Sequence, residues 1–399
     1  MKEARVEPLG LSIIILIYFA LKPIYLASSG SVQVADLFFA LSVLFVIIKN
    51  KGRIVFNKNN AVIIGYFCLL IIYQIVINGI WSFVTGDFSM NVNDLYYVFN
   101  MLAFATVIYI SQELSIASIK RAIGIGSLFA VIITAIGLII FSNDEVRSVG
   151  FFNNPNQLGY FSVIMLTVIA LCKEEMKKSH IMIVFVLSFW AVLVSLSKAA
   201  ILAYFVEIIV LVLFYQNNFS VKRIVFELVV ILIVSLGVYL LFFSNNSVIV
   251  SNPLLFEIRE RIINMSNEND SSLAYGRGYA RVGEMASHII WGTGEGAYDR
   301  FDIRHGVEVH STFVSLLTCY GLIGLLGYLT LIKNAMGKGS AFWNSLFVLS
   351  GLLLYSITHN GIRNTLFWIL LALIYVNNKN NIPIIDMNNN FIGRFINDH

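Results

Sequence analysis

The sequence predicts an all-α polytopic membrane protein of about twelve spans with one large helical extracytoplasmic loop. Three observations carry that expectation. Hydrophobic residues make up 58% of the 399-residue chain and charged residues only 13%, where a soluble domain has about a quarter of its residues charged. The mean hydropathy is +0.80, so this chain cannot be solvated on all sides. Its apolar residues also gather into runs close to the ~20 residues that cross a hydrocarbon core as a helix.

In chain order the hydrophobic windows fall at 9–27, 32–48, 61–79, 95–111, 120–141, 158–172, 181–197, 199–215, 224–243, 312–332, 342–358 and 363–376. The first follows Lys2 and Arg5, as a signal peptide would. It is longer than an h-region and no small-residue cleavage site follows, so it reads as the first span. The seventh and eighth windows share a tight turn at Ser197-Lys198, and the twelfth is short. The organisation predicted is spans 1–9 over residues 1–243, a loop over 244–311, spans 10–12 over 312–376 and a polar tail over 377–399.

Charge placement supplies the orientation. With the N-terminus in the cytoplasm, inside segments carry Lys49, Lys51, Arg53, Lys58, Lys120, Arg121, Lys173, Lys177, Lys222, Arg223, Lys333 and Lys379 among others. The outer loops 80–94 and 142–157 hold only Arg147 between them, as the positive-inside rule requires. Both termini are then cytoplasmic, and the expected location is a bacterial inner membrane.

The loop 244–311 runs against that rule with six arginines and no lysine, which a long translocated loop tolerates. The choice of arginine suggests function, because its planar fork grips phosphate oxygens two at a time and its charge is permanent. The plainer reading is a polar cap with surface ion pairs to Glu257, Glu260, Glu284 and Asp302. Asp270-Ser271-Ser272 resembles a helix N-cap, and 273–290 then reads as helix up to Gly292. That helix would place Arg277 and Arg281 on one face, continued by Glu284 and His288. Two adjacent guanidiniums favour a bridging anion such as a diphosphate, although Glu284 could satisfy Arg281 instead.

Gly292-Thr293-Gly294-Glu295-Gly296 has no preceding strand and no following lysine, so it is not a nucleotide loop. It reads as a turn that folds the loop back to the membrane, its glycines permitting close backbone approach. His310 stands at the mouth of the tenth span; a lone histidine is often structural, but this one sits where a lipid-linked sugar would react, and its chemistry suits a general base. Gly321, Gly324 and Gly327 suggest close helix packing. Cys68, Cys172 and Cys319 stand singly in apolar stretches, and the outer loops hold no Asp-x-Asp or clustered histidines, so no metal site is expected. Glu207 in the eighth span is first expected to pair with Lys22 or Lys198, the alternatives being an aqueous cavity or a protonated carboxyl. His359 and Arg363 sit at the last outer turn, where Arg363 has either a surface role or contacts a diphosphate.

These residues carry a resemblance. His310-Ser311, nine residues and then Gly321-x-x-Gly324 is similar to the signature of the O-antigen ligase and polymerase superfamily. Arg281 followed after ten residues by Gly292 resembles the arginine motif of Wzy-type polymerases. Arg147-Ser-Val-Gly150 with Pro155-Asn156 resembles the family's stretch before a span, and Ser195-Leu-Ser-Lys198 its Ser-x-Ser-Arg/Lys turn. The resemblance covers the middle and later half of the chain. It implies a GT-C-like, metal-independent, cofactor-free membrane glycosyltransferase acting in polysaccharide assembly such as lipopolysaccharide biosynthesis. Donor and acceptor would be undecaprenyl-diphosphate-linked glycans, and the lipid, a chain-length regulator and a flippase are the expected partners; nucleic acid is not.

On that reading Arg147, Arg277 and Arg281 bind the diphosphate, His310 acts as base beside Arg281, and Asn156, Arg363 and Glu284 are further substrate contacts. Asn156 could equally cap the sixth span. A polymerase moving a growing glycan onto the next lipid-linked repeat unit is the first expectation, drawn from the Arg281–Gly292 spacing. The alternative is an O-antigen ligase with a lipid A-core acceptor. A secondary transporter ranks behind both, since one mid-membrane charge and no repeat argue against it.

Overall fold

The computed structural model describes residues 9–27, 32–141, 148–214, 256, 259–260, 277–296 and 309–380, and regular secondary structure among them is helical throughout. Among the described residues eight helices precede the loop: α1 (Leu9–Leu21), α2 (Val34–Lys49), α3 (Lys58–Thr85), α4 (Asp94–Glu113), α5 (Ile116–Ile140), α6 (Pro155–Cys172), α7 (Lys178–Ser195) and α8 (Lys198–Phe214). A short α9 (Arg281–Glu284) lies in the loop, followed by α10 (Thr312–Met336), α11 (Ser340–Val348), α12 (Ser350–Thr358) and α13 (Thr365–Asn380). The window at 224–243 and most of the tail lie outside the described residues. Every other predicted window falls on a helix or, at 342–358, on a pair.

Among the described residues six helices are long and apolar enough to cross a membrane, and α11 with α12 makes a seventh span if the pair, bent by 57°, is counted as one. The chain is therefore a polytopic membrane protein. α1, α2 and α13 are apolar but shorter. α1 stops at Leu21, well before the expected limit at 27, because Pro23 cannot continue a helix and restricts the residue before it.

Local chemistry sets the helix starts. Asn57 accepts from Asn60 N–H at 2.9 Å to open α3, and Ser115 accepts from Ser118 N–H at 3.2 Å to open α5. Asn154 accepts from Gln157 N–H at 2.9 Å with Pro155 in the first turn of α6, the position where a missing N–H costs nothing. α3 ends at Gly86 with φ 72°.

The two central helices are α6 and α13. From Thr365 to Val376 every residue of α13 is buried, which marks a helix enclosed on all sides by others; it packs on α4, α10 and α6. Trp368 of α13 sits 4.6 Å from the Phe67 ring of α3 and 6.0 Å from that of Tyr328 in α10. At Gly126 a β-carbon would come within 2.6 Å of the Leu16 carbonyl, so glycine lets α5 lie against α1.

The predicted partner of Glu207 is corrected. Lys22 donates instead to Asp36 Oδ1 at 2.7 Å, and the same carboxylate accepts from Tyr18 OH at 3.0 Å. Lys198 opens α8, roughly 13 Å of helix rise before Glu207. Glu207 is fully buried, accepts from Thr167 Oγ1 at 2.7 Å and turns Oε2 toward Gly351 at the start of α12. Among the described residues it has no cationic partner.

The Lys22–Asp36 pair gives a stability prediction. Lys22→Met leaves Asp36 buried without its cation and should cost on the order of 3 kcal/mol, whereas adding Asp36→Asn should recover part of the loss. Thermal unfolding of the purified variants in detergent checks both values.

Candidate functional site

The turns that precede α2, α4, α6, α8, α10 and α13 gather at one end of the bundle. Tyr25 N–H donates to the Phe151 carbonyl at 3.2 Å and Ser148 N–H to that of Val194 at 3.2 Å. Asn153 Nδ2 donates to the Ala27 carbonyl at 2.8 Å. Leu196, with φ 49°, makes the sharp reversal between α7 and α8. Gly159 lets α6 approach that reversal, since a β-carbon there would lie 3.1 Å from Ser195 Oγ.

The same end holds the mouth of α10. Ser311 caps the helix, its Oγ accepting from Val314 N–H at 3.4 Å, and half-buried His310 immediately precedes it. The turn after α12 is sewn to this mouth. The His359 carbonyl accepts from Thr312 N–H at 3.2 Å and from Thr312 Oγ1 at 3.1 Å, while Gly361 N–H donates to Thr312 Oγ1 at 3.0 Å. Tyr355 stacks on His359 with ring centroids 4.4 Å apart and donates to the Asn156 carbonyl at 3.0 Å.

The arginine-bearing segment meets the mouth from the other side. Tyr279 OH lies 3.3 Å from Ser311 Oγ and donates to the Ile357 carbonyl at 2.7 Å. Gly278 packs on Val309, where a β-carbon would approach Cγ2 to 3.1 Å. Arg277 is half-buried beside Gly278, and Arg281 is 6% exposed at the start of α9. Glu284, at the end of α9, is exposed.

The expected continuous helix across 273–290 is not found over its described part. Gly278 has φ 78°, outside helical conformation, and regular structure is limited to α9 and one 3-10 turn at Ala286–His288. Arg277 and Arg281 thus flank a glycine break and do not share a helical face. Glycine at 278 and again at 283 weakens a helix, and the periodic spacing concealed this.

Deeper in the bundle the loop enters a broken helix. Gly321 in α10 has φ 66° and ψ −170°, which separates two helical halves. Thr293 N–H donates to the Thr318 carbonyl at 2.9 Å and Gly294 N–H to that of Cys319 at 2.8 Å. In return Leu322 N–H donates to the Ile289 carbonyl at 2.8 Å, and Tyr73 OH lies 2.9 Å from the Tyr320 carbonyl. Trp81 Nε1 adds a bond to the Gly292 carbonyl at 3.0 Å. The backbones are so close that a β-carbon at Gly292 would strike the Cys319 carbonyl, and one at Gly321 that of Ile290. Gly321 therefore makes a break, where helix packing was expected; Gly327, whose β-carbon would strike Leu70 of α3, does serve packing.

This clasp buries Glu295, a residue the sequence offered only as part of a glycine turn. Its side chain is 2% exposed, Oε1 accepts from Tyr97 OH at 3.0 Å and Tyr320 OH at 2.9 Å, and Oε2 accepts from Arg363 Nη2 at 2.6 Å. Glu295 N–H donates to Asn78 Oδ1 at 2.7 Å, and Asn78 donates on to Asp94 at 2.5 Å. Arg363 is thus a partner of a buried carboxylate, with 27% of its side chain exposed. A carboxylate flanked by two glycines in an otherwise uncharged run was the available signal.

The structure brings together the segments carrying Arg277, Arg281, His310, Asn156 and Arg363. Arg147 lies outside the described residues, although Ser148 beside it reaches the α7–α8 turn. Among the described residues no three His, Cys, Asp or Glu side chains group as metal ligands.

Residues 183–329 match the family model described as O-antigen ligase. The match spans a little over a third of the chain and takes in the 195–198 turn, Arg277, Arg281, His310 and the break at Gly321. It supports the O-antigen ligase/polymerase superfamily, and with it a membrane glycosyltransferase-like enzyme handling lipid-linked glycans. Arg147, Asn156 and Arg363 fall beyond its ends. No curated protein matches this chain.

The glycine break yields a prediction. Gly321→Ala would push against the Ile290 carbonyl and force a strained φ, so the loop should undock and transfer activity should fall at least about tenfold. Protease accessibility near residue 292 in membranes should rise in parallel. Gly65→Ala, which meets nothing within 4 Å, serves as the control.

Proposed function

We propose that the protein is a Wzy-type polysaccharide polymerase. It transfers a growing glycan from undecaprenyl diphosphate onto the next lipid-linked repeat unit at the outer face of a bacterial inner membrane. The observation that carries the reading is the junction of the arginine-bearing segment with the mouth of α10, through Tyr279–Ser311 and Gly278–Val309. It supports bringing a diphosphate-binding group and a base to one boundary of the bundle.

The chemistry follows from those groups. The acceptor sugar hydroxyl attacks the anomeric carbon of the donor glycan, and the bond from that carbon to the diphosphate oxygen breaks. The bonding electrons leave with the lipid diphosphate. Arg277 and Arg281, joined by Arg147 from the 142–157 loop, stabilise the charge that builds there; fixed donors in a dehydrated site are commonly the largest catalytic contribution. His310 takes the hydroxyl proton, a role worth roughly 10²–10⁴-fold. Asn156 and exposed Glu284 serve as contacts to the sugar portion. Free energy comes from the donor diphosphate, so no nucleotide is required.

The description of the matched family favours one second reading, a ligase with the same donor chemistry and a lipid A-core acceptor. The spacing from Arg281 to Gly292 favours the polymerase. Incubating the purified protein with a defined lipid-linked repeat unit, with and without lipid A-core, separates the two. Ladder formation from the repeat unit alone supports the polymerase, and product only with lipid A-core replaces it by the ligase.

Two substitutions test the roles. His310→Ala should lower the extension rate by about 10²-fold or more; full activity in correctly inserted protein would remove the base assignment. Arg281→Lys should also extend poorly, by about tenfold or more, because an ammonium cannot reproduce two-point contact with phosphate. Single-turnover extension measured by gel resolves both effects.

A further inference from the structure

We infer that Glu295 is a positioning residue that holds Arg363 against the anionic headgroup of the donor, so that Arg363 contacts one phosphate while Arg277 and Arg281 contact the other. The inference rests on the diphosphate donor proposed above and adds residues on both sides of that headgroup.

Docking alone does not call for a charge at Glu295. The 292–296 segment is already held by backbone bonds to Thr318 and Cys319 and by Trp81, and a neutral glutamine could also accept from Tyr97 and Tyr320, though more weakly. A buried carboxylate is costly unless a cation and further donors satisfy it. What the charge adds here is the ion pair with Arg363 at 2.6 Å.

Arg363 is fixed at both ends. Its carbonyl accepts from Asn100 Nδ2 at 3.2 Å, and Asn100 is braced by Thr365 Oγ1 at 2.7 Å. Its guanidinium is oriented by Glu295 through Nη2 while Nε is buried, yet 27% of the side chain is exposed, so part of it faces outside the bundle. The turn that bears it is bonded through Gly361 and His359 to Thr312, two residues from His310. A planar guanidinium whose orientation is set by a buried carboxylate, on a turn bonded to the mouth of α10, suits phosphate recognition.

The experiment uses the full chain in nanodiscs with two probes, undecaprenyl diphosphate and undecaprenyl monophosphate. Affinity is measured for wild type, Glu295→Gln, Arg363→Lys and the double variant. Diphosphate affinity should fall about tenfold in each single variant while monophosphate affinity holds, which shifts the ratio of the two. The double variant should be no weaker than the weaker single one, because the two residues act as a unit. A ratio unchanged from wild type in folded Arg363→Lys protein overturns the inference, whatever its activity. Arg363→Lys keeps a cation beside Glu295 and so decides the question even where Glu295→Gln fails to fold. Wild type that binds diphosphate in an Arg363-dependent way yet extends no glycan sinks the polymerase reading and leaves this one standing; wild type that binds no diphosphate sinks both.

Discussion

Lipid offers no hydrogen-bond donors, so a helix broken inside a membrane protein must have its freed backbone groups satisfied by the protein itself. The break at Gly321 in α10 is the place where this constraint organises the molecule. Its carbonyls at Thr318 and Cys319 are taken by Thr293 and Gly294, so the loop is drawn into the bundle as a structural requirement of the helix. Two glycines facing each other, Gly292 and Gly321, make that approach sterically feasible. From this contact follow the burial of Glu295, the ion pair to Arg363 and the placement of the arginine segment along the mouth of α10.

The site consequently has two layers. The outer one consists of α9, His310 and Ser311, with Tyr279 and His359 as connecting residues, and it is held largely by bonds to backbone carbonyls. The inner one consists of Glu295, Tyr97, Tyr320, Asn78 and Asp94, and it is closed, charged and almost free of solvent. Arg363 belongs to both, with its head in the inner layer and part of its surface exposed. A closed inner layer beneath a partly exposed outer one suits the proposed transfer, because donors that are already fixed do not reorganise as charge develops.

Elsewhere the bundle handles polar groups locally. Lys22 and Asp36 neutralise each other between α1 and α2, and Glu207 is met by Thr167 and by the open backbone at Gly351, where α11 and α12 bend. Neither feature touches the cluster around His310. The bend and Gly351 leave room for Glu207 between α8 and α12, where its Oε2 lies buried without a hydrogen-bond partner.

The sequence by itself determined the membrane class and the helices at the described windows, and it singled out the residues proposed for the outer layer, because hydropathy, charge asymmetry and motif spacing are one-dimensional properties. Arg277, Arg281 and His310 were legible through residue chemistry and spacing, and the structure brings their segments together. Periodicity misled at 273–290, where a pattern of four concealed the break at Gly278, and at Gly321, where a glycine read as packing is a hinge between two helical halves. Glu295 and its link to Arg363 were not legible, since 68 positions separate the partners in the chain and nothing in either neighbourhood names the other. Only the tertiary structure decided that pair, because a broken helix must recruit backbone partners from elsewhere, and which segment it recruits depends on three-dimensional proximity.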